Sequence, residues 1–501
     1  MEKRNKLLAI NGIVTILMQL ATMICGLILP RMILSTFGSD VNGLVTSITQ
    51  FLSFISLLDG GLGGVIRAAY YKPMAMHDDE GISRVFAASN KFYRQIAAFF
   101  VIYLFVLAFV FPILSGNQFG YLYTFLLVII ISLATLMQYF WGYTLKLLVF
   151  SDQRGYLHNI TQIMTTVINT VLAAILIHFG AGIHIVKLVA AVAYVVQPLF
   201  LGFYVRKHYN IDYKAKPADE AIKQRWSALA RHIAFYVHSN TDVVILTIFT
   251  AFSTVSIYSV YKTVVNGLTN LVAGVISNTE ATFGDLLAAN EVDLFRNEFS
   301  AVDLLSKMVS TICFATCTTM LCVFVNIYTR GVTDTNYYRP ILAIILCLSE
   351  WIYCMGLNYN NVIVSVGHFK QTTRIGVIEA TINVVFSLVM VKLAGLEGVV
   401  IATTIAMTYK LVANIVYMEK HIIHISISYT IRSMLGSAIT FFVSVVVIGR
   451  LVVNVNSYVM FFLEAGVVFL VISILSLAVN CLFCKSETFS MLQKLKKKIR
   501  R

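Results

Sequence analysis

Residues 8–29 read LAINGIVTILMQLATMICGLIL, a stretch without one ionised side chain. A helix of about 20 apolar residues spans the ~30 Å hydrocarbon core of a bilayer, where it satisfies its own backbone hydrogen bonds. Similar stretches recur along the 501-residue chain, which is 58% hydrophobic and only 12% charged, against ~25% charged in soluble domains. The sequence therefore predicts an all-α integral membrane protein.

Hydrophobic windows and polar breaks predict fourteen transmembrane helices. The predicted spans are residues 8–29, 41–66, 95–115, 121–145, 159–179, 184–205, 232–250, 255–280, 307–328, 341–364, 375–393, 397–418, 433–453 and 457–481. The seventh and eighth are the least apolar, so twelve or thirteen spans are the alternatives.

The distribution of Lys and Arg agrees with fourteen spans. If the N-terminus is cytoplasmic, six of the 38 cations fall in outer loops, Lys262 and Lys410 fall within spans, and the other thirty are on the inner side. This asymmetry follows the positive-inside rule. One missed span would exchange inner and outer loops along the rest of the chain and remove the asymmetry. We therefore expect both ends of the chain in the cytoplasm.

A weak repeat at an offset of 214 residues places Ser151 and Asn169 on Ser365 and Asn383. This predicts two six-helix lobes, residues 1–206 and 232–420, joined by a cytoplasmic linker at 207–231. Because six is even, the lobes should be related by a parallel pseudo-twofold axis along the membrane normal. Residues 421–484 add two helices, and 485–501 form a basic amphipathic tail that we expect on the inner membrane surface.

Several classes of function lack their motifs. The sequence contains no G-x-x-x-x-G-K-[ST] loop for ATP and no nucleophile motif; Cys481-x-x-Cys484 has no second pair to complete a metal site. The apolar run after the basic start has spanning length and no small-residue cleavage site, so no cleavable signal is expected. The net charge of +14 follows from the inner-side cations, so no nucleic-acid partner is expected. We predict a transporter, not an enzyme, without a bound cofactor.

Charges at membrane depth usually line a cavity, because burying them in lipid is costly. The cations that could attract an anionic headgroup are Arg31, Arg67, Lys262 and Arg374. The acids that could carry a coupling proton or sodium ion are Asp59, Asp242, Glu350 and Glu379. The alternative for each is an ion pair that fixes helix packing, such as Asp242 with Lys262. Polar and aromatic residues expected to line the cavity are Gln19, Asn42, Tyr258 and Tyr261.

Short motifs are distributed over nearly the whole chain. They are residues 29–31 (LPR), 37–44 (FGSDVNGL), 47–52 (SITQFL), 240–242 (NTD), 255–261 (VSIYSVY), 367–370 (GHFK) and 378–383 (IEATIN). In these motifs the chain resembles the polysaccharide transporter family of Wzx-type oligosaccharide flippases, within the multidrug/oligosaccharidyl-lipid/polysaccharide exporter superfamily.

The resemblance implies a MATE-like fold whose two lobes open alternately to the two sides of the bacterial cytoplasmic membrane. The implied cargo is an oligosaccharide on undecaprenyl diphosphate, flipped to the outer leaflet for capsule, O-antigen or exopolysaccharide assembly. A polysaccharide polymerase and glycosyltransferases are the implied protein partners, and coupling to H⁺ or Na⁺ is expected.

Three alternatives stay open at this stage. Drug-exporting relatives generally carry an acid in the first helix, where this chain has only polar residues such as Asn11 and Gln19; this disfavours a multidrug antiporter. The extra helix pair resembles that of lipid II flippases. A membrane glycan polymerase would need a large outer loop, and the longest here is residues 329–340.

Overall fold

The computed structural model describes residues 2–59, 62–218, 220, 240–277, 279–289, 291–452 and 455–499, and within these ranges every regular element is helical. Contacts divide the chain into two compact units, residues 1–256 and 257–501. The predicted all-α fold is confirmed. The predicted lobe boundaries stay a prediction; the compact units divide at a different place, inside one helix, and much of the 207–231 linker lies outside the described ranges.

The first unit is built on α1, which contains the first predicted span and residues 41–53 of the second; residues 62–66 of the second lie in α3. Its main core includes Leu44 and Ile48 of α1, Phe100 of α4 and Leu148 of α6. The helices are α1 (Glu2–Ser53), α2 (Ser56–Asp59), α3 (Leu62–Ala75), α4 (Asp79–Leu114), α5 (Tyr121–Met137), α6 (Tyr143–Ser151), α7 (Gly155–His178), α8 (Ile183–His208), α9 (Asn240–Phe249) and the first residues of α10 (Phe252–Ser277).

The second unit begins within α10 and continues to the C-terminus. One of its cores is aromatic, with Phe283, Phe295, Phe299 and Tyr359 fully buried. The other helices are α11 (Thr279–Ala288), α12 (Val292–Tyr328), α13 (Pro340–Ser365), α14 (Phe369–His421), α15 (Ile427–Val447), α16 (Tyr458–Phe483) and α17 (Lys485–Ile499).

Glycines divide the two longest helices. The backbone leaves helical geometry at Gly38 in α1 (φ 85°) and at Gly395 in α14 (φ 58°). Positive φ favours glycine, because a side chain at Cβ would clash with the backbone. In each long helix the chain therefore turns between two consecutive predicted spans, at the boundary that the hydrophobic windows predict.

Among the described residues, ten helices are long and apolar enough to cross a membrane. One of them, α14, holds two predicted spans, and α1 holds the first predicted span and part of the second. The seventh and eighth predicted spans correspond to α9 and α10, which are not among the ten; residues 232–239 of the seventh lie outside the described ranges. The protein is multi-pass, and fourteen spans is a prediction with which these helices agree.

The exterior of the transmembrane helices is apolar. On α16, Phe462, Leu470 and Ile474 are each more than 60% exposed. A contiguous apolar surface of this kind is unstable in water and is compatible with lipid. This supports a membrane setting independently of span length.

The structure repeats one local feature at the predicted 214-residue offset. Helix α6 ends at Ser151 and α13 at Ser365; α7 then begins at Gly155 and α14 at Phe369. Between each pair, one residue has left-handed backbone geometry, Gln153 (φ 56°) in one case and Gly367 (φ 74°) in the other. The same helix–turn–helix unit thus occurs in both halves of the sequence.

The C-terminal tail forms the helix α17. Met491 is buried in a small cluster with Leu304 and Met308 of α12, and Lys494 Nζ lies 2.8 Å from Glu298 Oε1. Phe489 and Leu492 are exposed. The tail is therefore amphipathic, with one face packed on α12 and an apolar face left uncovered by the second unit.

Candidate functional site

The central feature of the candidate site is an ion pair between α10 and α13. Lys262 Nζ lies 2.7 Å from Glu350 Oε1, and the Thr269 hydroxyl donates to Glu350 Oε2 at 3.2 Å. Lys262 and Thr269 are seven residues apart, so they share a helix face. The side chains of Lys262 and Glu350 are 20% and 9% exposed. A charged pair is thus held at membrane depth with its ammonium partly accessible.

A second ion pair crosses the turn within α14. Lys410 Nζ lies 3.3 Å from Glu379 Oε2, and the glutamate side chain is almost fully buried. One helical turn further along, the Asn383 amide donates to Thr403 Oγ1 at 2.9 Å. The two halves of α14 approach closely near the turn, since a Cβ at Gly398 would lie only 2.1 Å from the Met390 carbonyl oxygen.

Asn383 Oδ1 and Ser387 Oγ, on two fully buried side chains of this hairpin, have no hydrogen-bond partner among the described residues. Glu379, Asn383 and Ser387 follow one another at four-residue spacing and so lie along one helix face. An unsatisfied buried acceptor is destabilising by about 1–3 kcal/mol, so a proton donor or small cation at this face would be stabilised.

In the first unit, the Asn42–Gly43 motif holds the start of α10. The Asn42 amide donates to Ser256 Oγ at 2.8 Å. A Cβ at Gly43 would lie 1.8 Å from the Phe252 carbonyl oxygen, so only glycine permits this approach. Asn42 is almost fully buried in this helix contact, and its role in lining a cavity stays a prediction.

Helix α9 contacts α1 through polar side chains. Gln50 donates to Asn240 Oδ1 at 2.7 Å, and Thr247 donates to Ser47 Oγ at 2.7 Å. Asp242 lies between these two contacts in sequence and is 7% exposed. The predicted acid is thus a buried carboxylate within a polar helix interface.

The remaining predicted cations are divided between the two units. Arg31 is partly buried; Arg67 is exposed and donates to the Gly63 carbonyl of its own helix. Arg374 is also exposed. Gln19 is exposed on α1. The side chain of Asp59 lies outside the described part of the structure. Convergence of the four cations on one cavity stays a prediction.

The two predicted cavity-lining tyrosines are inside the second unit. Tyr258 and Tyr261 are 2% and 0% exposed. The Tyr261 hydroxyl donates to the Tyr337 carbonyl at 2.7 Å and accepts from the Arg339 amide at 3.0 Å. Tyr261 therefore anchors the loop between α12 and α13 in this conformation.

Sequence reasoning missed a fully buried charge pair on α12. Lys307 Nζ lies 2.6 Å from Asp303 Oδ2 and donates to Tyr359 and Ser433 hydroxyls at 3.0 and 2.9 Å. Tyr429 donates to Asp303 Oδ2. All three ammonium donors are used, which makes this cluster a packing element. The four-residue spacing of opposite charges could have indicated this pair. Lys307 begins a predicted apolar span, so the charge distribution counts it among the cytoplasmic cations and the pair is overlooked.

No metal centre is found in the described residues: no three His, Cys, Asp or Glu side chains are grouped to hold an ion. The candidate chemistry is therefore that of ion pairs and buried polar oxygens.

Comparisons with known proteins identify the fold. No family model matches the chain, and no curated protein sequence matches it. Solved structures do match. The lipid II flippase MurJ in an inward closed conformation is 14% identical, covering 91% of this chain and 98% of that chain with a TM-score of 0.68.

Two transporter structures match over similar lengths. An inward-facing multidrug resistance MATE family transporter of the MOP superfamily is 14% identical, covering 83% of this chain and 95% of its own, with a TM-score of 0.64. A MATE protein in the bent conformation is 15% identical, covering 86% and 96%, with a TM-score of 0.57.

The chain thus has the fold of polytopic membrane transporters. More particularly, it is the fold that MurJ and the MATE transporters share, which confirms the MATE-like architecture expected from the sequence. At 14–15% identity the likeness defines fold and not cargo.

Proposed function

We propose that the protein is a flippase that moves an oligosaccharide linked to undecaprenyl diphosphate from the cytoplasmic to the outer leaflet. Support comes from the transporter fold and from the paired charges at membrane depth. The polar headgroup cannot cross bare hydrocarbon, so it needs a shielded polar path while its polyprenyl tail stays in the bilayer.

The observation that carries this proposal is the Lys262–Glu350 pair. Without cargo, Glu350 neutralises Lys262, which avoids an isolated charge in a low-dielectric region. A diphosphate offers the ammonium more acceptor oxygens than one carboxylate and can displace Glu350 from it. The 20% exposure of the Lys262 side chain gives an anion access. Exchange of the partner of Lys262 is the proposed binding step.

Glu379 is the proposed coupling residue, with Asp242 as the other candidate acid. Protonation of Glu379, or capture of Na⁺ by its carboxylate together with the Asn383 and Ser387 oxygens, would release Lys410. Such a change alters the charge balance across the α14 hairpin and could bias one conformation over another. No bound cofactor is needed for this step.

We place the protein in the bacterial cytoplasmic membrane with both ends in the cytoplasm, as the charge asymmetry indicates. There it would deliver the lipid-linked glycan to a polysaccharide polymerase, after cytoplasmic glycosyltransferases have built it, for capsule, O-antigen or exopolysaccharide assembly.

The test is the leaflet position of undecaprenyl-diphosphate-linked glycan in cells depleted of the protein, scored by an external glycosidase. We expect the glycan lipid to accumulate and to be protected from the enzyme. Normal cleavage in a strain without a second flippase would refute the proposal.

A lipid II flippase is the second candidate, favoured by the likeness to MurJ over 91% of the chain. Both cargoes are lipid-linked, so the same depletion experiment separates them by the mass of the lipid that accumulates. If neither lipid accumulates, the likeness to MATE transporters makes a cation-coupled multidrug antiporter the remaining candidate, and dye efflux is its assay.

A further inference from the structure

A cavity of about 450 Å³ lies in the first unit, between α4, α6, α8 and the turn that precedes α6. It is lined by charged, polar and aromatic side chains. None of them belongs to the ion pairs described above, and the cavity lies within one unit. Its volume is in the range of small-ligand sites, which is about 300–1,000 Å³.

Two arginines line this cavity at the ends of apolar helical stretches. Arg94 directly precedes the uncharged residues 95–114 of α4, and Arg206 directly follows the uncharged residues 188–205 of α8. Both therefore mark the same level, where hydrocarbon gives way to headgroups. Within the described part of the chain, neither guanidinium has a hydrogen bond or an ion pair, and both residues are exposed. Their charge is available to a ligand.

A buried hydroxyl lines the same cavity. Thr144 is 2% exposed, and its Oγ1 has no hydrogen-bond partner among the described residues. A buried hydroxyl without a partner is unfavourable, and an anionic oxygen in the cavity would accept a hydrogen bond from it. The Asn90 side chain adds a second neutral donor to the lining.

The rest of the lining is apolar and open to the lipid side. Trp141, Leu199 and Phe203 are 48%, 62% and 69% exposed. Trp141 lies in a π-helical turn, Gln138–Gly142, and such turns occur often at functional sites. Tryptophan is enriched at the headgroup level of membranes. The cavity therefore combines cations with an exposed apolar wall.

We infer that this cavity binds the phosphate headgroup of an anionic membrane phospholipid from the leaflet on the cytoplasmic side. Arg94 and Arg206 bind the phosphate oxygens, since guanidinium matches phosphate in geometry and charge. The acyl chains then lie along the exposed apolar side chains of the π-helical turn and of α8. A free phosphate would use the arginines but would leave the apolar wall uncovered. This site shares no residue with those proposed for the cargo path and does not depend on the cargo.

The test uses the full-length protein in phosphatidylcholine vesicles that contain either brominated phosphatidylglycerol or brominated phosphatidylcholine. Bromine quenches nearby indoles. The chain has three tryptophans, so the Trp141 signal is the difference from a Trp141→Phe variant. We expect brominated phosphatidylglycerol to quench Trp141 at about tenfold lower mole fraction than brominated phosphatidylcholine, as two charge-assisted contacts imply.

The variant Arg94→Ala/Arg206→Ala should abolish this preference. The matched control is Arg84→Ala/Lys207→Ala, which removes the same charge from the same helices, at exposed positions that do not line the cavity. The control should retain the preference; its loss in both variants would indicate general attraction to the surface and overturn the inference.

A second variant tests the cavity without changing charge. At Gly202, an added Cβ would meet only Leu145 Cδ1 at 3.7 Å, an ordinary contact. Gly202→Ala should therefore be tolerated, and Gly202→Leu should fill the cavity and reduce the preference for phosphatidylglycerol. Two outcomes would overturn the assignment to a lipid. One is equal quenching by both brominated lipids in the unaltered protein. The other is reversal of the quenching by ~10 mM inorganic phosphate, because free phosphate should not displace a lipid that also binds through its acyl chains.

Discussion

Lys262 Nζ and Glu350 Oε1 lie 2.7 Å apart, although 88 residues separate them in the sequence. The Thr269 hydroxyl adds a second contact to the same carboxylate. Glu350 therefore balances the charge on α10 and orients the Lys262 ammonium. The two residues act as one unit, and variants of either should be interpreted together.

Lys262→Ala should abolish export of the lipid-linked glycan while the protein still inserts in the membrane. The exchange of Glu350 for a diphosphate needs this ammonium, and its removal leaves the carboxylate uncompensated. The measurement is surface polysaccharide per copy of membrane-inserted protein. Lys370→Ala, at an exposed loop-proximal position, is the control and should export normally.

The double variant Lys262→Met/Glu350→Met separates binding from packing. With both charges gone, thermal stability should return towards that of the unaltered protein, while export should stay absent. Restored export in the double variant would contradict a binding role and leave only a packing role for the pair.

Arg31→Ala should also abolish export, because a cation at membrane depth near the outer end of the first span is expected to receive the headgroup. The same export assay applies. Arg450→Ala removes an exposed arginine that we place on the same side of the membrane and should have no effect. Wild-type export in Arg31→Ala would remove this residue from the proposed path.

Lys307→Ala should destabilise the protein by about 3–5 kcal/mol, as expected when one partner of a buried pair is removed. Asp303, Tyr359 and Ser433 would all lose a contact. The measurement is the thermal unfolding midpoint in detergent. The paired change Lys307→Met/Asp303→Leu should recover most of the loss, and its transport activity should be near normal because the cluster has a packing role.

Gly43→Ala should destabilise the first unit by about 1–3 kcal/mol, the range for overpacking a tight contact. The new methyl group would overlap the Phe252 carbonyl oxygen. Gly26→Ala, in the same helix with nothing within 4 Å of the added Cβ, should be neutral or slightly stabilising, since alanine favours helix over glycine by about 1 kcal/mol. Equal unfolding midpoints for the two variants would show that the close approach does not contribute to stability.

Glu379→Gln should uncouple transport from the driving ion. The amide cannot take up a proton or hold Na⁺ as a carboxylate does, and it no longer forms an ion pair with Lys410. Glycan export should then become insensitive to collapse of the proton or sodium gradient and fall about tenfold or more, a typical coupling effect of 1–3 kcal/mol. Glu80→Gln, at the exposed start of α4, should keep full ion dependence.

Hydrophobic length predicted much of the fold. The breaks at Gly38 and Gly395 coincide with predicted boundaries, because a run of apolar residues long enough for two spans must turn and glycine permits that turn. The turns at Gln153 and Gly367 are separated by the same 214 residues as the repeat found in the sequence. The likeness to MATE transporters confirms the expected MATE-like fold.

The partners of individual charges could not be predicted. Periodicity assigns a residue to a helix face, but which helices are neighbours depends on packing of the whole unit. The sequence therefore identifies Glu350 and Lys262 as separate charges and offers Asp242 as a partner for Lys262, whereas the structure pairs Lys262 with Glu350. Lys307 was assigned to the aqueous side, although Tyr359 and Ser433, both distant in sequence, provide a polar site for it inside the unit.

The turn at Gly395 has a consequence for biogenesis. Glu379 precedes it by sixteen residues and Lys410 follows it by fifteen, so the two charges come together when the hairpin forms. Either charge alone at the centre of a span raises the free energy of membrane insertion by about 2.5–3.5 kcal/mol. Because a single glycine joins the two spans without a loop, we expect them to exit the translocation channel together as one folded hairpin. Its two opposite charges are then already paired when the hairpin first contacts lipid.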